Sequence, residues 1–415
     1  MDHSSVINAG DSLILKRGND LKLVKIFRNR NIFLLKRNFS IDPAIGKPYG
    51  TLWDVVDRTI KQVQPDEEEQ AEGTTGGHDN RSLVDDGTSQ RLTRDDIAAM
   101  KSQGVQGQDL VEQIVENSAT FKSKTVFSQE KYLKKKKKKH MLRFRILRPS
   151  IRLLCDMYMM KGPSKCLHIR MDTMSQILTQ GNVQSGLNVV LVETCQGLLL
   201  SAVLERMAGH GNLFQIHSED FPVWQVMDSC NFPDEYKKII HTFPMNKVST
   251  VFREEEEEEE EVERIPKRQR LEGEPDDEKM DESEEKPGGD DPKTEMNTEQ
   301  ERRLQKKLLL NNTRNLLKAK NMDVLLIASK FQPEPLLMTL IDLLLPSRQF
   351  VVFSPFREAL VECYTKLRER GGILNIRITE TWLREYQVLP NRTHPMMMMS
   401  ASGGYLLTGT TVALD

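Results

Sequence analysis

The sequence predicts an α/β protein in which a small antiparallel β unit and a helical connector precede a mostly parallel sheet covered on both faces. Three observations carry this. After Met141, apolar strand-like runs succeed one another (LRFRIL, NVVLVE, LFQIH, MDVLLIAS, FVVFS, LNIRIT and YLLTGTTVAL) with helical segments between several of them, the pattern of strands buried on both faces. Residues 11–60 instead alternate apolar and polar positions in the short runs SLILKR, LKLVKIF and NIFLLKR, separated by turn formers such as Gly18-Asn19-Asp20 and Asn29. That alternation marks half-buried antiparallel strands. Residues 254–301 hold 23 Asp and Glu against 7 Lys and Arg, too polar a stretch to bury the apolar area that ordering requires.

Taken in order, residues 8–64 are expected to form a β-barrel, closed by IGKPYGTLWDV with Gly46, Pro48 and Gly50 as turn punctuation. Residues 65–92, which include PDEEEQAEGTTGGHDN, read as a linker. Residues 93–140 read as a helical connector. Thr93 can cap its first helix, with Asp95 and Asp96 near the positive end of the dipole. Gly104 and Gly107 interrupt the pattern, and DLVEQIVENSATF then places Leu110, Val111, Ile114 and Val115 on one face. Ser128 can cap a third helix, SQEKYLKKKKKKH, whose lysines crowd the end that favours cations. The α/β domain is expected over 141–253 and again over 304–415, with 254–303 as a disordered acidic insert.

At 415 residues, 38% hydrophobic and 29% charged, the composition is that of a soluble globular chain with some disorder. No run approaches the roughly 18 apolar residues of a membrane span, and the first thirty residues lack the apolar core of a secretory signal. Cys155, Cys166, Cys195, Cys230 and Cys363 are widely spaced without CxxC pairing, which fits reduced thiols of the cytosol or nucleus. The eight histidines include no HExxH, and no metal is expected. The formal net charge of −2 conceals an uneven distribution. Outside 254–301 the chain carries +14, and 131–155 holds eleven Lys and Arg with no acid. A basic body points to a polyanionic partner, most simply nucleic acid.

The stretch VVLVETCQGLLLSAVLERM (189–207) has the layout of strand, tight turn and helix, where doubly wound sheets bind nucleotide-like cofactors. LVETCQGLLLSA resembles the first motif of S-adenosylmethionine methyltransferases, roughly E-x-G-x-G-x-G. Glu193 matches the acid and Gly197 one glycine, while Cys195 and Leu199 stand where the other two belong. LFQIH puts His217 at the place of the ribose-binding acid, and VLLIASKF lacks the aspartate followed by Leu-Pro of a catalytic member. The expectation is a degenerate pocket of Glu193, Cys195, Gly197, Leu199 and His217 that binds no cofactor. Each added Cβ would intrude on ligand space, and an unpaired ribose would cost on the order of a few kcal/mol.

Longer strings carry a closer resemblance: IGKPYGT (45–51), DNRSLVDDGTSQRLTRDDI (79–97), ENSATFKSKTVFSQEKYLKKKKKKH (116–140), RMDTMSQILTQGNVQSG (170–186), ECYTKLRERGGILNIRITETWLREYQVLPNRTHP (362–395) and GGYLLTGTTVAL (403–414). Together they resemble the non-catalytic subunits of the eukaryotic tRNA (adenine-58-N1)-methyltransferases over nearly the whole chain except the acidic insert. The resemblance implies an N-terminal β-barrel and a C-terminal Rossmann-like class I methyltransferase domain. It also implies a two-plus-two heterotetramer with a catalytic subunit that holds S-adenosylmethionine, and the T-loop adenine of tRNA as the methylated base. A nuclear location is expected.

The run KYLKKKKKKHMLRFRILR (131–148) suits RNA phosphates as well as a solvated helix end. The RNA-binding candidates are Lys131, Lys134, Lys135, Lys136, Lys137, Lys138, Lys139, Arg143 and Arg145, with Tyr132 and Phe144 as interleaved aromatics. Arg377, Arg384 and Arg392, placed near C-terminal strand ends, complete the set. KRQR (267–270) suits an import signal or plain charge interspersion. Residues 396–399, all Met, suit core packing or, as a second reading, a subunit interface. Asp172 and Thr173 read as a helix cap. Two competing functions stay open on the residues alone: an active S-adenosylmethionine-dependent RNA methyltransferase with a divergent pocket around Glu193 and Gly197, and a chaperone-like interaction protein run by its charge blocks.

Overall fold

The computed structural model describes residues 5–35, 37–56, 58–63, 90–102, 107–122, 124–218, 221–253, 292–388, 393–399 and 401–413. These fall into two units, Met1–Met160 with Asp228–Asn231, and Lys161–Met227 with Phe232–Asp415.

The first unit contains β1 (Ser12–Arg17), β2 (Asp20–Lys25), β3 (Asn31–Leu34), β4 (Arg37–Ser40), β5 (Leu52–Val56) and β6 (Thr59–Val63). Helices α1 (Arg94–Ser102), α2 (Gly107–Glu116) and α3 (Val126–His140) follow, then β7 (Arg143–Leu147) and α4 (Ile151–Lys161). Strands pair antiparallel in the order β2-β1-β7-β5-β6, and β3 pairs with β4 as a separate hairpin. The expected barrel is therefore a five-stranded sheet with two edges, packed with the hairpin around one core. Alternate residues build that core: Leu13, Leu15, Trp53, Val55, Phe144 and Ile146 from the sheet, and Phe39 from β4. Phe39 and Phe144 meet with ring centroids 5.9 Å apart, a tilted aromatic pair of the favourable kind.

This corrects the boundary expected at residue 141. LRFRIL is β7, hydrogen-bonded between β1 and β5, and not a strand of the second unit. Its burial alternates, whereas strands buried on both faces read as continuous apolar runs. Arg143 and Arg145 at alternate positions were the signal. The connector is helical as expected. Thr93 Oγ1 accepts from the Asp96 N–H at 3.1 Å while Asp96 Oδ2 accepts from the Thr93 N–H at 2.8 Å, a reciprocal N-terminal clasp. Leu110, Val111 and Ile114 are buried and Val115 partly so. Helix α3 begins earlier than Ser128, with Thr125 as its cap.

The second unit contains α5 (Met171–Gln180), β8 (Asn188–Glu193), α6 (Leu198–Met207), β9 (Asn212–His217), α7 (Asp234–Lys238), β10 (Ile240–Pro244) and α8 (Pro292–Lys318). After these come β11 (Met322–Ala328), α9 (Pro333–Leu340), β12 (Leu344–Ser354), α10 (Arg357–Arg370), β13 (Ile373–Trp382), β14 (Tyr386–Gln387), β15 (His394–Pro395) and β16 (Ser402–Thr411). Seven strands form one sheet in the order β10-β9-β8-β11-β12-β16-β13. The first five run parallel, and β16 runs antiparallel to both neighbours. Val190, Val192, Phe214, Ile216, Leu325 and Ile327 join one core cluster. Val189, Leu191, Leu213 and Leu326 are equally buried, so both faces of the sheet are covered as the apolar runs require.

Strand β10 (IHTFP) went unread in the sequence because it is short and only Phe243 on it is buried. The acidic insert also ends sooner than expected. Residues 254–291 lie outside the described residues, and from Pro292 the backbone is helical. Leu310, Thr313 and Leu317 anchor the end of α8 at i, i+3 and i+7, and Glu, Gln, Lys and Arg are strong helix formers that propagate an anchored helix.

The RMDTMSQILTQ segment is a clasp. Arg170 donates to both Asp172 carboxylate oxygens and to the Ala401 carbonyl. Thr173 is fully buried; its hydroxyl donates to the Gly403 carbonyl at 2.9 Å and lies 2.8 Å from Thr381 Oγ1. Arg170, the N-cap of α5, makes no side-chain cap bond, while the Asp172 carboxyl accepts from the Thr173 N–H in the first turn. Arg170 and Thr173 tie α5 to the ends of β13 and β16.

Candidate functional site

The order of the parallel strands reverses between β8 and β11, and in such sheets ligands bind at that point, beyond the carboxyl ends of the strands. A cavity of about 230 Å³ opens there, lined by Glu193, Thr194, Gly197, Gln215, His217 and Lys330 among others. That is below the ~300–1,000 Å³ of typical small-molecule sites. Gln196 and Gly197 both adopt positive φ, 60° and 83°, which turns the chain sharply from β8 into α6. A Cβ on Gly197 would meet the Val223 carbonyl at 3.1 Å and Trp224 Cα at 3.3 Å. The close approach that glycine permits is used by the chain itself. This strap is tied down twice: the Val226 N–H donates to the Gln196 carbonyl at 3.0 Å, and Trp224 Nε1 donates to Gln215 Oε1 at 2.7 Å.

Glu193 ends β8 and accepts from the Leu199 N–H at 3.2 Å. Its Oε1 is buried without a hydrogen-bond partner among the described residues. Burial pushes this carboxyl up to about 7, moderated by the N–H groups of Leu199, Leu200, Cys195 and Gly197. Cys195 and Leu199 are fully buried and do not line the cavity. The Cys195 thiol faces the Ala328 carbonyl at 3.5 Å, and its own carbonyl accepts from the Cys166 thiol at 3.3 Å. The expectation that their side chains fill ligand space is thus corrected. They point into the core, and the strap occupies the approach to the turn. Burial also raises the Cys166 thiol, to about 12; all five cysteines are buried and unbridged.

S-adenosylmethionine does not match the residues present. His217 and not an acid ends β9, Ser329 and Lys330 follow β11, and Lys165 and Lys330 bring positive charge to a ligand that is itself a sulfonium. Lys330, Phe221 and the strap lie in loops and Lys165 in a single 3-10 turn, Pro163–Cys166, none with a periodicity that would single them out.

The lysine run lies on α3. Lys131, Lys135 and Lys139 are exposed at four-residue spacing, which sets them along one helix face. Lys136 and Lys137 are half-buried. The Lys136 and Lys124 ammonium groups sit 5.1 and 4.8 Å from the Tyr132 ring centroid. Burial, and then neighbouring Lys135, lower the Lys136 pKa. The side chains of Lys134 and Lys138, all of Arg392, and KRQR lie outside the described residues. Two of the named residues have partners within the protein. Phe144 is 1% exposed, inside the core, and Arg143 pairs with the buried Asp54 at 3.2 Å, a partner that alternation alone did not reveal. Arg145 reaches the Gly50 carbonyl at 3.4 Å.

Arg377 lies in mid-strand on the edge strand β13, opposite Thr408, and not at a strand end. Arg384 is exposed just beyond that strand. Met396, Met397 and Met398 are exposed, the last at 94%, so they are not core residues. Among the described residues no group of side chains could hold a metal ion, and no helix is long and apolar enough to cross a membrane.

Comparison with known proteins fits this anatomy. The Gcd10p family matches residues 6–286. The tRNA (adenine(58)-N(1))-methyltransferase non-catalytic subunit TRM6 of Mus musculus is 40% identical over 442 residues, covering 99% of this chain and 89% of its own. Counterparts of the same description from Dictyostelium discoideum and Schizosaccharomyces pombe are 32% and 27% identical, each covering 99% of this chain and 80% and 93% of their own. A SAM-dependent O-methyltransferase structure from Thermotoga maritima superposes with a TM-score of 0.52 at 11% identity, covering 99% of this chain and 97% of its own. That likeness speaks for the Rossmann-like methyltransferase fold alone. With a match spanning well over half its length and relatives alike from end to end, the chain belongs to the Gcd10p family.

Proposed function

We propose that this chain is the non-catalytic subunit of a tRNA (adenine-58-N1)-methyltransferase, holding tRNA for a catalytic partner and carrying no methyl donor of its own. The observation that carries this is the crossed turn. A methyltransferase sheet has its own Val223 and Trp224 lying against the one remaining glycine of its cofactor motif, in a chain whose relatives are described as non-catalytic subunits. Adenine N1 lies on the Watson–Crick edge, so the base must leave its stack to be methylated. Holding the distorted RNA then takes a large positive surface, which the Lys131, Lys135 and Lys139 stripe supplies.

The chain pairs with the catalytic subunit in a two-plus-two heterotetramer. The exposed Trp382, Tyr386, Val388, Met397 and Met398 around β13 and β14 form the surface that faces that partner. The double variant M397E/M398E is expected to separate the subunits on a sizing column, and co-elution would refute this surface. KRQR directs the chain to the nucleus, so replacing it with alanines should leave a tagged chain in the cytoplasm.

The deciding test is calorimetric titration of the co-purified complex with S-adenosylmethionine. One molecule bound per pair of unlike subunits is the expected result. Two per pair would overturn the reading and restore an active methyltransferase with a divergent pocket.

A further inference from the structure

The switch-point cavity has kept its polar lining but gained features that a methyl-donor site has no use for. Lys165 and Lys330, both exposed, line it together with Phe221, a residue that is 70% exposed. The Lys306 ammonium of α8 lies 4.8 Å from the Phe221 ring centroid. Exposed aromatic rings flanked by cations are the platforms on which proteins stack unpaired bases, tolerating any base because each has a π face. Deeper in, Glu193 Oε1 is buried with no partner among the described residues. Gln215 is 3% exposed with its Oε1 held by Trp224, which turns its amide in a fixed direction.

We propose that this cavity receives one unstacked nucleotide of the bound RNA, its base on Phe221 and its phosphate between Lys165 and Lys330. The inference rests on the reading that the chain holds tRNA and adds where one nucleotide of that tRNA goes. The donor-type ligand and the nucleotide are told apart by charge. Two lysines and no ribose acid disfavour a sulfonium and favour a phosphodiester. The volume of about 230 Å³ suits a single nucleoside unit and not a longer ligand.

The test measures tRNA affinity of the complex with its catalytic partner for four variants. Phe221→Leu keeps an apolar side chain and removes the stacking face, so tRNA should bind roughly ten-fold more weakly. Phe221→Trp should bind like the natural chain. Lys165→Glu with Lys330→Glu should weaken binding and lower the slope of log affinity against log salt by roughly one, the share of one phosphate. Lys131→Glu, Lys135→Glu and Lys139→Glu combined report on the α3 stripe. If only the stripe variant weakens binding, the cavity proposal falls and the tRNA-holding reading stands. If none does, both fall. Equal loss in the Leu and Trp variants would show a packing role and overturn stacking. In a parallel titration, 5′-AMP that is displaced by tRNA supports the RNA source. 5′-AMP that stays bound beside tRNA assigns the cavity to a free nucleotide and overturns it.

Discussion

The turn after β8 and helix α3 are both short and conspicuous in sequence, yet they are built in opposite senses. In the turn the distinctive side chains point inward. Glu193 serves the N-terminus of α6, Cys195 and Leu199 join the core, and the chain crosses over Gly197. On α3 Lys131, Lys135 and Lys139 point outward at four-residue spacing, and among the described lysines of the run Lys136 and Lys137 are drawn partly in. The side chains of the turn are absorbed into the core, whereas those of the α3 stripe stay in solvent, where they add almost nothing to stability. Changes at the turn should therefore be read in unfolding, and changes at α3 in affinity.

The sharpest way to break this contrast is Gly197→Val. A side chain at φ 83° with the strap 3.1 Å away should cost about 2–4 kcal/mol. The expected result is a lower melting temperature for the complex, and an unchanged one would mean the strap is loosely held. Next comes Glu193→Gln. The folded pKa of Glu193 is raised to about 7 from 4.5, so the folded state holds the proton more tightly than the unfolded state does. The stability this gives is complete below about pH 4.5 and is lost as pH rises through 7, a span worth about 3 kcal/mol. Melting temperature measured from pH 5 to pH 8 should fall more steeply for the natural chain than for the Gln variant; parallel curves would place the Glu193 carboxyl in water.

At α3 the triple reversal Lys131→Glu, Lys135→Glu and Lys139→Glu should reduce tRNA affinity about 10- to 100-fold at moderate salt and flatten its salt dependence. Melting temperature should hold, because these side chains are exposed. A drop in stability without a drop in affinity would invert the contrast. The smallest expected effect is Thr125→Ala, which removes the cap of α3 at about 1 kcal/mol. It should appear as faster amide exchange in the first turn and leave tRNA binding within two-fold.

Much of the fold was legible because periodicity reports burial. The runs NVVLVE, LFQIH and MDVLLIAS became β8, β9 and β11 with four or more buried positions each. LRFRIL was misplaced although its alternation was visible, since neighbourhood in sequence was taken for neighbourhood in space. The placement of the turn was legible: His217 ends β9, Glu193 ends β8 and Gly197 precedes α6. The direction of a side chain at a turn was not. Cys195 and Leu199 were read as obstructing the ligand because a motif gives spacing and not the rotation of each Cα–Cβ bond. The Arg143 pairing was not legible either, its partner Asp54 lying 89 positions away.

The strap over Gly197 has a consequence for descent. Reverting Cys195 and Leu199 to glycine would not reopen a methyl-donor site. It would leave two holes in the core, at about 3–5 kcal/mol for a leucine-sized one, with Val223 and Trp224 still in the way. Recovery would need the strap to move first, and while Cys195 and Leu199 fill the core nothing rewards that movement. A route that begins with those two reversions passes first through less stable intermediates, so the proposed division of labour would behave as a ratchet.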